Sequence, residues 1–227
     1  MSITAVAFVP AAPLLVPQVA GGSAGLDQPM RDASLDVVAG AIADRAAEVI
    51  VVAPTGTAAR WPSDATWDFA GFGVARGQSD RRPVLPWPLG IGAWLLDEVG
   101  WDGPRRYLGV SPADDVAAAT AQGTTDGAQV VIAVGDGSAC RTERAPGYLD
   151  DRAGAFDARI ADLLARGDAA GLGGIDTALA ADLMCAGLPV WRWVSATVGD
   201  AEVGAAELVT HVAPYGVGYF VARWSIS

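Results

Sequence analysis

The chain has 227 residues, 52% of them hydrophobic, and a formal net charge of −11 at pH 7. An apolar content this high is enough to build the core of one domain, which argues against intrinsic disorder. The negative charge and the absence of a basic run argue against a nucleic-acid partner. The apolar runs are far shorter than the roughly 20 residues that a membrane-spanning helix needs. We therefore expect one domain over residues 1–227 that binds neither nucleic acid nor membrane.

All 15 basic residues are arginine, and the sequence has no lysine. This excludes enzymes that depend on a lysine Schiff base, a pyridoxal phosphate anchor or a P-loop lysine. Cys140 and Cys185 are the two cysteines, and they form no CxxC pattern. We expect both to be free thiols in a reducing compartment. Because the start of the chain lacks the basic residues of a secretory signal, the expected location is the cytoplasm.

The first elements follow the order strand, helix, strand. Residues 3–9 form an apolar run that predicts a buried strand, and Pro10 begins the loop after it. Leu35, Val38 and Ile42 recur at a spacing of three and four, which predicts a helix over residues 30–47. Residues 49–52 are β-branched, and the run 49–53 is typical of a central parallel strand. These elements form a βαβ unit.

The middle of the chain alternates between Gly- and Pro-rich loops and short apolar segments. Residues 54–88 predict a long loop that contains a short strand at 69–75. The elements expected after it are a helix at 88–99, a strand at 107–110, a helix at 113–122 and a strand at 129–134.

The last part of the sequence predicts helices and then a hairpin. Asp150 or Asp151 can cap a helix that Gly167 ends, and a further helix is expected at 176–186. The alternation of Trp191 and Trp193 favours a strand with both indoles on one side. Residues 207–213 and 217–224 predict a β-hairpin. The expected fold is thus a single α/β domain with a central, mostly parallel sheet flanked by helices, plus a C-terminal hairpin.

Ligands of open α/β sheets bind outside the carboxyl ends of the strands, so the loops at 10–15, 53–56 and 135–140 are the most informative. The glycines of the third loop would let backbone N–H groups approach a ligand. Asp and Ser are also ordinary turn residues, so those in the third loop can serve the loop alone. The polar residues expected near one rim, as candidate ligand contacts, are Thr55, Arg60, Asp136 and Ser138.

Together the three loops resemble motifs of the class III extradiol ring-cleavage dioxygenases, the family of the protocatechuate 4,5-dioxygenase catalytic subunits. The family's Pro-His-Pro-Pro-Leu-Leu aligns its histidine with Ala11 of Pro-Ala-Ala-Pro-Leu-Leu. Its Ser-Pro-His-Gly resembles Ala-Pro-Thr-Gly and aligns a histidine with Thr55. Its Gly-Asp-Leu-Ser-His resembles Gly-Asp-Gly-Ser-Ala, with Ala139 at the histidine position. Residues 145–148 and 156–157 are similar to the family segment that follows.

The resemblance implies the family's fold, and the departures from it imply a lost active centre. Family enzymes hold Fe(II) with two histidines and one carboxylate, and a further histidine acts as acid and base. Ala11, Thr55 and Ala139 supply no imidazole at these positions, and the chain has one histidine, His211. We therefore expect no metal and no cofactor.

The leading hypothesis is a non-catalytic extradiol dioxygenase-like protein that binds a small molecule or a protein partner. One alternative is an enzyme of a different type, such as a hydrolase with Cys140 as nucleophile, His211 as base and Asp136 as orienting group. Another is an extradiol dioxygenase with an atypical metal site, shared between subunits. The eight tryptophans and the subunit pairing common in the family also favour a homo-oligomer such as a dimer.

Overall fold

Apolar, β-branched segments form the centre of a seven-stranded sheet in the computed structural model, which describes residues 2–21, 27–43, 46–74, 82–112 and 127–227. The strand order across the sheet is β3-β4-β2-β5-β1-β7-β6. The strands are β1 (Ser2–Val9), β2 (Glu48–Pro54), β3 (Ala59–Trp61), β4 (Arg105–Val110), β5 (Ala128–Val134), β6 (Val203–Val212) and β7 (Tyr219–Ile226).

Four neighbouring strands, β4, β2, β5 and β1, run parallel. The outer strand β3 is antiparallel to β4, and at the other side β7 is antiparallel to both β1 and β6. The mostly parallel sheet and the C-terminal hairpin expected from the sequence are thus confirmed. The antiparallel return of β7 also brings the hairpin turn at 213–218 to the carboxyl end of β1, beside the loops that follow the parallel strands.

Helices cover both faces of the sheet, because alternate residues of each central strand point to opposite sides. One apolar cluster lies between the sheet and the first two helices, and the second lies beneath the helices of the C-terminal half. The described α-helices are α1 (Asp27–Ile42), α2 (Trp87–Glu98), α3 (Arg152–Arg166), α4 (Ala169–Gly173), α5 (Thr177–Asp182) and α6 (Leu188–Val198).

The expectation of a strand at Trp191 and Trp193 is wrong, because both residues lie in α6. Pro189 is in the first turn of this helix, where its missing N–H costs nothing. The helix packs against α4 on one side and β2, β4 and β5 on the other, so both indoles are buried although they point in different directions. Trp191 and Trp193 therefore alternate with Arg192 because α6 is buried on two sides, and not because the segment is a strand.

The strand expected at 69–75 is also wrong. Ala70–Phe72 forms a single turn of 3-10 helix, and one bridge joins Phe69 to Val74. Gly73 adopts φ 83, which reverses the chain before a strand can form. The short strand of this loop region is instead Ala59–Trp61, which pairs with β4.

Other boundaries differ by a few residues. The helix expected at 30–47 is α1, Asp27–Ile42, and the one at 176–186 is the shorter α5. The helix expected at 113–122 lies outside the described residues. Among the described helices, none combines the length and apolar character that crossing a bilayer requires.

Two helical glycines provide a matched test of the packing of α2 on the sheet. A Cβ added to Gly92 in α2 would lie 2.4 Å from Cγ1 of Val51, whereas one added to Gly154 in α3 would meet no atom within 4 Å. We expect Gly92→Ala to lower the free energy of unfolding by about 1–3 kcal/mol through overpacking. Gly154→Ala should raise it by up to about 1 kcal/mol through helix propensity. The free energy of unfolding of both variants is measured in urea. A change in the same direction for both would contradict this packing of α2.

Candidate functional site

The first and third loops meet at the carboxyl edge of the sheet through Asp136. Val9 at the end of β1 pairs with Val134 at the end of β5, and Gly135 N donates to Val9 O at 2.9 Å. Two residues farther on, Ala11 N donates to Oδ1 of Asp136 at 2.7 Å. The Asp136 carboxyl therefore fixes the course of the first loop.

The position of Asp136 between two loops changes its acidity. Burial raises the pKa of this carboxyl to about 7, because the charged form loses its hydration, and the hydrogen bond from Ala11 N opposes the rise. Its backbone oxygen accepts hydrogen bonds from Gly187 N at 2.8 Å and from Sγ of Cys185 at 3.6 Å. Asp136 thus links the first loop, the third loop and the start of α6, with a carboxyl that exchanges a proton near neutral pH.

Thr55 lies at the same edge beside these loops, whereas Arg60 lies at the outer side of the sheet, opposite Leu108 of β4. Val52 of β2 pairs with Ala133 of β5, so Thr55 and Asp136 each lie three residues beyond this pair. The Thr55 hydroxyl donates to Thr57 O at 2.7 Å, so its proton is already hydrogen-bonded within the loop. Arg60 is exposed on β3, with β4 and β2 between it and β5.

A buried carboxylate that sequence reasoning did not select as a site residue, Asp157 of α3, holds the third loop. Its Oδ1 accepts from Ser138 N at 2.8 Å, and its Oδ2 accepts from the Ser138 hydroxyl at 2.8 Å and from Nη1 of Arg141 at 3.0 Å. Asp157 and Ser138 are both 0% exposed. The Ser138 side chain is therefore engaged in loop structure, and its expected contact with a ligand gains no support.

The sequence does carry a signal for Asp157. It stands on the apolar stripe of α3, four residues after Ala153 and three before Ile160. A charged residue on a buried helix face needs a partner, so this position predicts a buried ion pair.

Two glycines allow the backbone to approach this carboxylate closely. A Cβ at Gly137 would lie 2.7 Å from Oδ1 of Asp157, and one at Gly218 would lie 2.3 Å from Oδ2. The same segments are joined by hydrogen bonds from Gly137 N to Gly218 O at 2.7 Å and from Gly218 N to Ser138 O at 2.8 Å. Asp157 therefore anchors the turn of the C-terminal hairpin as well as the third loop.

The three residues of the alternative catalytic hypothesis each have other partners in the structure and are not joined to one another. Cys140 is buried, its thiol donates to Leu183 O at 3.5 Å, and burial raises its pKa. His211 stacks on Phe220 with ring centroids 4.7 Å apart, and burial lowers its pKa. No hydrogen bond connects Cys140, His211 and Asp136, three residues that all lie in the described part of the chain.

The donor set at this edge does not fit a centre built from two histidines and a carboxylate. Ala11 and Ala139 present methyl groups that are 2% and 8% exposed, and Thr55 presents a hydroxyl. In the part of the chain that the structure describes, no group of three His, Cys, Asp or Glu side chains is placed to hold a metal ion. No reaction step through iron follows from these residues.

A cavity of about 90 Å³ lies at the same edge, beside the Asp136 loop. Its connection to that loop is Cys185, which lines the cavity and whose thiol donates to the backbone oxygen of Asp136. Two larger cavities are lined by other residues, one of about 440 Å³ along α3 and α5 and one of about 280 Å³ near the start of β4. The lining of the small cavity is Ser111, Pro112, Thr177, Ala180, Ala181, Cys185, Leu188, Pro189 and Arg192.

Comparison of the sequence with protein-family models and with curated proteins finds no match.

The Asp157 anchor predicts a specific loss of stability. In Asp157→Asn, Ser138 and Arg141 lose a charged acceptor, so we expect the free energy of unfolding to fall by about 1.5–3 kcal/mol. The control is Asp162→Asn on the same helix, where Asp162 forms exposed ion pairs with Arg159 and Arg166. This control should change stability by less than about 1 kcal/mol. Equal effects of the two substitutions in urea unfolding would contradict the role of Asp157.

Asp136 predicts a distinct pH dependence of stability. Its pKa rises from 3.8 to about 7 in the folded protein, so between these values the folded state holds a proton that the unfolded chain releases. The free energy of unfolding contributed by this group therefore falls as pH rises from about 4 to 7. Asp136→Asn should remove this contribution. The free energy of unfolding is measured in urea at pH 5 and at pH 8. From pH 5 to pH 8 it should fall more in the wild type than in Asp136→Asn. An equal change in both proteins would contradict the raised pKa of Asp136.

Proposed function

We propose that this protein is a non-catalytic, extradiol dioxygenase-like protein that binds a small molecule at the carboxyl edge of its sheet. The three loops that carry the family resemblance follow β1, β2 and β5, and the first and third are fixed to each other through Asp136. The positions that align with histidines hold Ala11, Thr55 and Ala139. The loop framework of a ligand site is thus kept while the iron-binding side chains are missing.

The observation that carries the proposal is the cavity beside Asp136. It lies where ligands of open α/β sheets bind, outside the carboxyl ends of the parallel strands. Ser111, which directly follows β4, forms one wall, and Cys185 connects the opposite wall to the Asp136 loop. A largely apolar concave site with a few polar groups is the usual form of a small-molecule site.

The hydrolase-like alternative receives no comparable support. A cysteine nucleophile requires a lowered pKa and a base within hydrogen-bond reach. Burial raises the pKa of Cys140, and its thiol donates to backbone oxygens rather than to His211. The alternative dioxygenase with an atypical metal site gains no support either, because the described residues hold no group of three His, Cys, Asp or Glu side chains placed for a metal ion.

The absence of iron chemistry is directly testable. After anaerobic loading with Fe(II) and desalting, the purified protein should retain far less than one iron per chain and should not open the ring of protocatechuate or homoprotocatechuate. Iron is measured by a ferrozine assay, and ring opening by absorbance. Stoichiometric iron together with ring-opening turnover would contradict the proposal.

Self-association also stays a prediction. Tyr148, Leu149 and Met184 are at least half exposed, and Met184 lies close to Gly147, so the three form one apolar patch. Exposed apolar patches of this kind commonly mark protein contacts. Sedimentation velocity of the purified chain at micromolar concentration should give the mass of a dimer or a larger oligomer, and the mass of a monomer would contradict this expectation.

A further inference from the structure

One face of α6 lines the cavity beside Asp136 and includes Arg192. Leu188, Pro189 and Arg192 are spaced by three and four residues, so they lie on the same side of the helix, and all three line the cavity. Ala180 and Ala181 of α5 face them across the cavity. Ser111 and Pro112 close it on the side of β4.

Arg192 is half-buried and lacks a partner among the described residues. The other partly buried arginines of the C-terminal half and of β4 are paired, as Arg141 is with Asp157 and Arg106 with Glu48. No ion pair or hydrogen bond joins Arg192 to any residue that the structure describes, and none of the described lining residues is a carboxylate. A half-buried cation that no described residue pairs favours the binding of an anionic ligand.

The size and walls of the cavity restrict that anion. At about 90 Å³ the cavity is far smaller than the 300 Å³ or more of a typical site for drug-sized ligands. Buried apolar groups of Ala180 and Leu188 form much of its wall, and a single guanidinium supplies the positive charge. A carboxylate of a few carbon atoms matches both features, because its head can form two parallel bonds to one guanidinium while its body contacts the apolar wall. A phosphate dianion would bring more charge than one arginine offsets.

We propose that this cavity binds small aliphatic monocarboxylates through Arg192. The inference rests on the proposed small-molecule function and names its ligand class. Arg192 binds the carboxylate head, and Leu188 and Ala180 contact the aliphatic end. Arginine is well suited to this role because its planar fork matches the geometry of a carboxylate.

The test is isothermal titration calorimetry with propionate, butyrate, propionamide and inorganic phosphate at pH 7. The wild-type protein should bind propionate or butyrate and should bind propionamide at least about tenfold more weakly, because a neutral amide loses the charge-assisted bonds. Arg192→Gln should weaken carboxylate binding by about tenfold or more. The control is Arg166→Gln, which removes an exposed arginine of α3 and should leave affinity unchanged within about twofold.

A second variant keeps the test informative if Arg192→Gln does not fold. Ala181→Leu places a larger side chain on an exposed position of the cavity wall, so it should block binding without disturbing the core.

The competing outcomes are distinct. Equal binding of propionamide and propionate, or tighter binding of phosphate, would overturn the carboxylate inference and leave the small-molecule function standing. Carboxylate binding that neither variant weakens would place the ligand elsewhere and overturn the role of Arg192. If screening finds no ligand of any class, the proposed function fails as well.

Discussion

The buried carboxylate of Asp157 is the interaction on which the geometry of the carboxyl edge depends. It joins α3 to the third loop through Ser138 and Arg141, and the hairpin turn lies against it at Gly218. A carboxylate without exposure is stable only when its charge and its lone pairs are satisfied, so the loop and the turn cannot move independently of the helix. Asp136, two residues before Ser138, is held in place by the same arrangement.

The fixed edge bears on the proposed binding of a small molecule. The third loop contacts the first loop through Asp136 and the start of α6 through the backbone of the same residue. The cavity that contains Arg192 therefore has one wall tied to the rigid anchor and another formed by α5 and α6. A site built in this way is preorganised, which lowers the entropic cost of ordering side chains around a small ligand. The described lining of this cavity contains no imidazole and no carboxylate.

The sequence predicts the sheet well because its signals are local. The β-branched runs of β2 and β5 and the hairpin of β6 and β7 are read from residues that are neighbours in the chain. The prediction of a strand at Trp191 and Trp193 was wrong because a helix that is buried on two sides shows no single apolar stripe. The cavity of Arg192 could not be predicted, since it depends on how α5 and α6 pack beside the end of β4, a contact between distant segments. Asp157 could have been found, as a charge on an apolar helix face.

Chemical-shift mapping with a library of small fragments, recorded on the uniformly labelled protein, tests whether small molecules bind at the carboxyl edge of the sheet. We expect backbone amides to respond at the carboxyl edge, at Ala11, Ala12 and Ser111, at residues 135–138, and at residues 185–192 other than Pro189. Responses confined to the groove of α3 and α5, or to the polar cavity near the start of β4, would contradict it.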